Sequence, residues 1–346
     1  MENQTKKIVL VTRNIPGEDF SSLEPDFKVL IPEKAGEFFQ IEKITESLPD
    51  VFAIIGTSTV NSELIAKCLN LKLIITNGSG YENIDIGAAT AVKVPVYNVP
   101  EVTAFPTAEL TVTLMLNLFR RASEMNMKLK ESEESHVSDF FMPGSYAGHT
   151  LEGKTIGIIG MGCIGKKVAH ICDAFYMNIL YTQHHKLSFN QENNMRFVSL
   201  DKLLNESDVV SIHCRLNKDT AGMIGSEEFS KMKKSAFLIN TSRGAIVDQE
   251  ALISDLQNGT IAGAGLDVFT NEPEIPETLR KMDNVIITPH IGSNTTETRP
   301  QMSQAIIKII RDAAEGKSIR RIPINPEIYA NPTIENEVSK DEPTKE

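Results

Sequence analysis

Three short segments carry side chains suited to proton chemistry beside an anion. "INTSRGAIVD" places Arg243 ahead of Gly244, "LDVFTNEP" places Asp267 five residues before Glu272, and "ITPHIGSNT" holds His290. Each begins with a short apolar run of strand type, so each lies just past the carboxyl end of a strand. Open α/β sheets bind ligands at that edge. An arginine there can hold a carboxylate through a two-pronged donor and polarise a neighbouring ketone oxygen. A histidine can deliver the proton that this oxygen needs. A carboxylate bonded to the histidine fixes its orientation and favours its protonated form. Arginine, acid and histidine together suit hydride transfer to a 2-keto acid. Singly, each is commonplace at a strand end, so the reading requires a place for the hydride source.

"TIGIIGMGCIGKKVA" provides that place. An apolar strand runs into Gly160, Met161, Gly162, Cys163, Ile164 and Gly165, and a helical pattern follows. This is G-x-G-x-x-G between strand and helix. The first glycine makes the tight turn and the second lets the backbone approach a pyrophosphate. The third permits close helix–strand packing, and the helix N-terminus offers its N–H groups. Cys163 reads as a small spacer in this loop; the sharper alternative is a thiol whose oxidation blocks cofactor entry.

The elements that must position these residues come in two series. Apolar, β-branched runs at 7–12, 27–32, 51–56, 72–77 and 93–98 alternate with helical segments such as "SELIAKCLN". A second series has strands at 155–160, 178–182, 208–213, 236–241, 261–268 and 285–290. Such a βα rhythm builds parallel sheets with helices on both faces. Between the series, an apolar helix is expected from Pro106, a favoured first helical residue, to about Lys130. Residues 131–150 read as a polar surface segment, and a last helix follows Thr295. The charged residues 331–346 read as a disordered tail.

Composition narrows the partners. The 346 residues are 41% hydrophobic and 23% charged, with a net charge of −11, which disfavours nucleic acid and anionic membranes. Four scattered cysteines without a C-x-x-C pair fit reduced thiols. The apolar stretch near the N-terminus is too short for a signal core, and nothing further on reads as a membrane span, so a cytoplasmic location is expected. No grouping has metal-ligand spacing; the His184-His185 pair has no third ligand nearby in sequence.

Taken together, "NGSGYENID" (77–85), "VTAFPTAELTVTLML" (102–116), "LEGKTIGIIGMGCIG" (151–165), "MKKSAFLINTSRGAIVDQEAL" (232–252), "GLDVFTNEP" (265–273) and "TPHIGSNTTETR" (288–299) resemble the D-isomer-specific 2-hydroxyacid dehydrogenase family, in order and spacing, over about 10–325. The resemblance implies two doubly wound α/β domains. A Rossmann cofactor domain, 101–294, is inserted in a flavodoxin-like substrate domain made of 1–100 and 295–330, with catalysis in the cleft. It implies Arg243 as substrate-binding arginine, Glu272 as the acid and His290 as the acid/base. Asp267 becomes a partner of the nicotinamide amide, with Thr241, Ser242, His213 and Gly292 as further cofactor contacts. Backbone N–H groups of Gly78, Ser79 and Gly80 would bind the substrate carboxylate, in keeping with an anion nest. The long helix resembles the family's dimer contact and implies a homodimer.

One departure bears on the cofactor. The acid expected roughly 20 residues beyond the glycines would fall near 183, where Gln183 stands, followed by His184, His185 and Lys186. Relatives preferring NADP resemble this pattern, since an acid would repel a 2′-phosphate. Arg215 replaces a proline usual in the family. Gln183, His184, Lys186 and Arg215 are therefore expected around a 2′-phosphate, making NADP(H) the favoured cofactor, with NAD(H) the alternative. The reductases of glyoxylate, hydroxypyruvate and 2-keto-sugar acids resemble the chain most. An NAD-dependent phosphoglycerate-type dehydrogenase and a nucleotide-sensing corepressor are the competing readings.

Overall fold

The alternation of apolar runs and helical segments resolves into two parallel sheets. The computed structural model describes residues 6–131, 146–188 and 194–329. Most of the polar segment at 131–150 and the expected tail at 331–346 lie outside those residues. One compact unit runs to Val102 and resumes at Thr296; the other is Thr103–Thr295.

In the first unit, β1 (Lys7–Val11), β2 (Phe27–Leu30), β3 (Val51–Gly56), β4 (Leu73–Thr76) and β5 (Val96–Tyr97) pair in the order β2-β1-β3-β4-β5. Alternate residues supply its two cores. Val9, Val11, Ile55 and Ile75 pack against the helix Thr298–Ala314, while Ile8, Leu10, Ile54 and Ile74 face Leu64, Ile65 and Ala89. Burial on both faces is why β3 and β4 read as unbroken apolar runs.

The second unit holds β6 (Thr155–Ile159), β7 (Asn178–Thr182), β8 (Met195–Phe197), β9 (Val209–Ile212), β10 (Phe237–Asn240), β11 (Gly263–Leu266) and β12 (Val285–Ile287). Their order is β12-β11-β10-β9-β6-β7-β8, all parallel. Strand order reverses between β6 and β9, which is the topological switch point where such sheets bind ligands. Leu180, Val210 and Leu238 face one helical layer, and Ile179, Tyr181 and Ile239 the other. The edge strand β8 escapes the sequence pattern because its three residues, Met195, Arg196 and Phe197, are half-buried or exposed and show no apolar run.

The long helix differs from expectation at both ends. It spans Pro100–Arg120, so Pro100 takes the first helical position and Pro106 lies inside. The hydrogen bond lost at Pro106 would have gone to the carbonyl of Val102, the last residue of the first unit's N-terminal segment. A break follows at Arg121, whose φ of 54° ends the helix, and a second helix runs Ala122–Glu131. By length and composition the first of these helices could cross a membrane, contrary to the sequence reading. However, 56% of its apolar window is buried inside the protein, as befits a core helix.

Candidate active site

The glycine loop is shaped by packing at its first and third glycines and is open at its second. Gly160 has φ +96°, and a Cβ there would stand 2.5 Å from the Cys214 nitrogen and 2.7 Å from the His213 carbonyl carbon. A Cβ on Gly165 would meet the Gly160 oxygen at 2.2 Å. Gly162, at the N-cap of the helix Cys163–Ala174, has nothing within 4 Å of such a Cβ. A helix N-terminus facing open space across a missing side chain fits a dinucleotide pyrophosphate. Gly162→Ala is accordingly expected to leave Tm nearly unchanged, since its φ of −78° suits alanine. It should weaken nicotinamide-cofactor binding about tenfold or more by intruding where the backbone must approach. Calorimetric titration measures this; wild-type affinity in a folded variant would exclude the loop as the phosphate site.

The strands on either side of β6 both touch this loop. From the end of β7, the Gln183 amide oxygen accepts the Met161 N–H at 3.1 Å, while its nitrogen donates to the His185 carbonyl at 2.6 Å. One neutral side chain thus ties the glycine loop to the His184–Lys186 turn. A carboxylate could accept from Met161 but has no hydrogen for the His185 carbonyl. His184, His185 and Lys186 are exposed at this turn. From the end of β9, His213 and Cys214 lie against Gly160. Burial lowers the His213 pKa to about 3, so its ring is neutral, and its Nε2 pairs with the Ser211 hydroxyl at 2.8 Å. Arg215 follows, exposed, its carbonyl accepting from Thr220 at 2.6 Å.

The residues that the sequence analysis marks for proton transfer are joined by contacts that the sequence did not reveal. His290 Nδ1 stands 2.7 Å from Glu272 Oε2, and Glu272 Oε1 accepts from the Phe269 N–H at 3.1 Å. Burial opposes ionisation of Glu272 most strongly. The His290 bond and charge, the Phe269 N–H and the Arg243 charge outweigh it and hold the carboxyl below its usual 4.5. An ionised carboxylate only accepts, so Nδ1 carries the hydrogen and Nε2 is left to exchange protons with a ligand.

His290 adopts φ 54°, rare for a residue with a side chain. Such a backbone persists only where its surroundings over-determine it, and here Asp267 does so. Asp267 is 1% exposed; it accepts from Thr288 Oγ1 at 2.6 Å, Ile291 N at 2.8 Å and Gly292 N at 2.8 Å, while its carbonyl takes the His290 N–H. Burial raises the Asp267 pKa against those bonds. The residue assigned to the nicotinamide amide on resemblance therefore also anchors the segment carrying His290.

Arg243 is placed by buried Asn240, which donates to the Arg243 carbonyl at 2.9 Å and accepts from Ser242 N at 3.0 Å. Arg243 Nη1 donates to the Ser242 carbonyl at 2.7 Å. A Cβ on Gly244 would meet the Phe269 carbonyl carbon at 2.0 Å, so the arginine turn abuts the segment leading to Glu272. Ser242 Oγ binds the Cys214 carbonyl at 2.6 Å, and the Thr241 hydroxyl lies 2.9 Å from that of Thr111. Asn240 and Thr288 are functional supports that the sequence reading missed; a polar residue closing an apolar strand was the available signal.

Gly78, Ser79 and Gly80 lie in the first unit, just past β4. All three carbonyls are tied down: Gly78 O by Val99 N at 2.9 Å, Ser79 O by Asn98 at 2.8 Å and Gly80 O by Thr76 at 2.8 Å. Among the described residues, no acceptor engages the N–H groups of Gly78 and Gly80. Carbonyls turned inward and amides left over are what an anion-binding loop requires.

Comparison with known proteins places this geometry in context. Residues 112–292 match the D-isomer specific 2-hydroxyacid dehydrogenase, NAD binding domain. The glyoxylate reductase of Thermococcus litoralis is 38% identical over 316 residues, covering 90% of this chain and 95% of its own. A crystal structure of a glyoxylate reductase from Paecilomyes thermophila superposes with a TM-score of 0.81 at 32% identity, covering 92% of this chain and 98% of that one. An NADPH-dependent glyoxylate/hydroxypyruvate reductase from Sinorhizobium meliloti, solved with NADP and malonate, gives 0.84 at 26% identity over 95% and 100% of the two chains.

Proposed function

Because the chain belongs to the D-isomer specific 2-hydroxyacid dehydrogenase family, we propose that it reduces a small 2-keto acid such as glyoxylate or hydroxypyruvate to the corresponding 2-hydroxy acid, the D isomer where that product is chiral. The observation carrying this reading is the 2.7 Å His290–Glu272 pair, with the Arg243 charge acting on Glu272, in the same unit as the glycine loop. A bound nicotinamide supplies the hydride. Arg243 holds the substrate carboxylate and polarises the ketone oxygen; within the first unit, the N–H groups of the 78–80 loop suit a carboxylate. His290 gives its Nε2 proton to the ketone oxygen as the carbon accepts the hydride, and Glu272 steadies the ring through Nδ1. Water re-protonates Nε2 after product leaves.

The loop 160–165 would hold the pyrophosphate, with Thr241, Ser242, His213, Asp267 and Gly292 nearer the nicotinamide. NADP(H) is the favoured cofactor, supported by the neutral Gln183 bridge, by the exposed His184 and Lys186 that follow it, and by the exposed Arg215 beyond the end of β9. Steady-state kinetics on glyoxylate, hydroxypyruvate and 2-keto-sugar acids with NADPH and NADH test both halves. The expected kcat/KM is higher with NADPH. Gln183→Asp should move the ratio toward NADH about tenfold or more, the scale of charge-assisted hydrogen bonds. An NADH value equal to or above that for NADPH overturns the cofactor reading, and no turnover of any 2-keto acid overturns the reaction. Exposed Phe105, Met127 and Leu129 on the two long helices support a homodimer, which sedimentation at monomer mass would refute.

A further inference from the structure

A buried polar cluster stands directly behind the 78–80 loop in the first unit. Glu18, on the connection after β1, has a side chain 1% exposed. Its Oε1 accepts from Asn77 Nδ2 and, at 3.1 Å, from Arg299 Nη1 at the start of the helix Thr298–Ala314. Asn77 is the residue immediately before Gly78. The neighbouring Asp19 N–H donates to Ser303 of the same helix at 3.1 Å, which pins the Glu18 connection in place. Glu18 Oε2 and Asn77 Oδ1 are both buried with no hydrogen-bond donor.

Two acceptors without donors in one interacting pair would be costly if Glu18 were ionised, since buried oxygens need hydrogens to replace water. A single proton removes both defects. Carboxyl and primary amide groups are planar and of matched width. When the amide N–H meets one carboxyl oxygen, an O–H on the other can return a bond to the amide oxygen. We propose that Glu18 is held as the neutral acid, joined to the Asn77 amide by two reciprocal hydrogen bonds, and that this pair positions the Gly78–Gly80 loop for the substrate carboxylate.

Burial acts on Glu18 in the same direction, raising its pKa against the opposing pull of Asn77 and Arg299. Arg299 is the cation facing the pair; it bonds Glu18 at Oε1, while Oε2 has no hydrogen-bond partner. The adjacent Asp19 carboxylate turns away to accept from Ser21 N at 2.8 Å. A neutral Glu18 also keeps a second negative charge from lying behind a loop that must receive an anion. Glu18 is thus a positioning residue that acts through Asn77.

The inference rests on the proposed role of the 78–80 loop, and its test separates the two. Glu18→Gln keeps the shape and both hydrogen bonds without a charge, whereas Glu18→Ala removes them. The expected result is kcat/KM for the 2-keto acid within about twofold of wild type in E18Q. In E18A, KM should rise about tenfold or more, with kcat and cofactor Kd little changed, as for a lost ground-state contact. E18Q impaired as severely as E18A, or E18A with a wild-type KM, would overturn the proposal. Infrared difference spectra of wild type and E18Q decide the protonation state without turnover or the E18A variant. A protonated-carboxyl band lost in E18Q supports the neutral acid, and its absence from the wild type at neutral pH refutes it. If no 2-keto acid is turned over, the functional reading falls while the infrared result still judges the pair.

Discussion

His290→Gln is expected to lower kcat for 2-keto acid reduction by about 10²–10⁴-fold, the usual worth of a positioned general acid. Cofactor affinity should hold, because the glycine loop is built by Gly160, Gly165 and the Gln183 bridge without any contact from His290. The loss falls on kcat because proton delivery is needed only as negative charge develops on the ketone oxygen. Glu272→Gln should show a smaller loss, since the ring keeps its backbone position through Asp267 but loses a charged partner. The pair also has an acid limit. Glu272 has its folded pKa lowered, so its contribution is fully present above the usual 4.5 and disappears as pH falls through the lower folded value. Stopped-flow and steady-state rates check the main claim; kcat within fivefold of wild type in H290Q would remove His290 from the chemistry.

Arg243→Ala should reduce kcat/KM by roughly thirty- to several thousand-fold, the range for removing one partner of a desolvated charge pair worth about 2–5 kcal/mol. Both KM and kcat should suffer, because the guanidinium is assigned to the carboxylate in the ground state and to the ketone oxygen in the transition state. Lysine is not expected to rescue it, since a point charge cannot reproduce the planar fork. The fold should tolerate the change. Arg243 is held by its backbone, through Asn240 and through Gly244 against Phe269, and its Nη1 bonds the adjacent Ser242 carbonyl. An R243A enzyme retaining wild-type kcat/KM, with Tm and cofactor binding intact, would show that the carboxylate is bound elsewhere.

Much of this protein is written in local pattern. Runs such as "VFAIIG" and "TIGII" are buried on both faces and announce parallel strands by themselves, because each residue meets a core whichever way it points. Gly160, Gly162 and Gly165 are legible because the constraint on each is local: a turn, an approach and a helix contact. Arg243, Glu272 and His290 are legible by type and by their position past strand ends. Local pattern failed where local signals were weak or competed, at the exposed edge strand β8 and at the helix start, where Pro106 looked like a beginning and Pro100 is one.

What only the tertiary structure decided are the pairings between segments. Glu272 and His290 are 18 residues apart, Met161 and Gln183 22, and Glu18 and Arg299 281. The wrapping of Thr288, Ile291 and Gly292 about Asp267, which holds His290 at positive φ, is equally invisible in the sequence. Side-chain periodicity reports which face a residue turns to its own core. Which distant atom it meets depends on sheet register and on the packing of helices against it. Residue identity and spacing therefore determined that this chain has an arginine, an acid, a histidine and a glycine loop between strand and helix. The register of β6, β7, β9, β10, β11 and β12 decided which atoms of those residues touch.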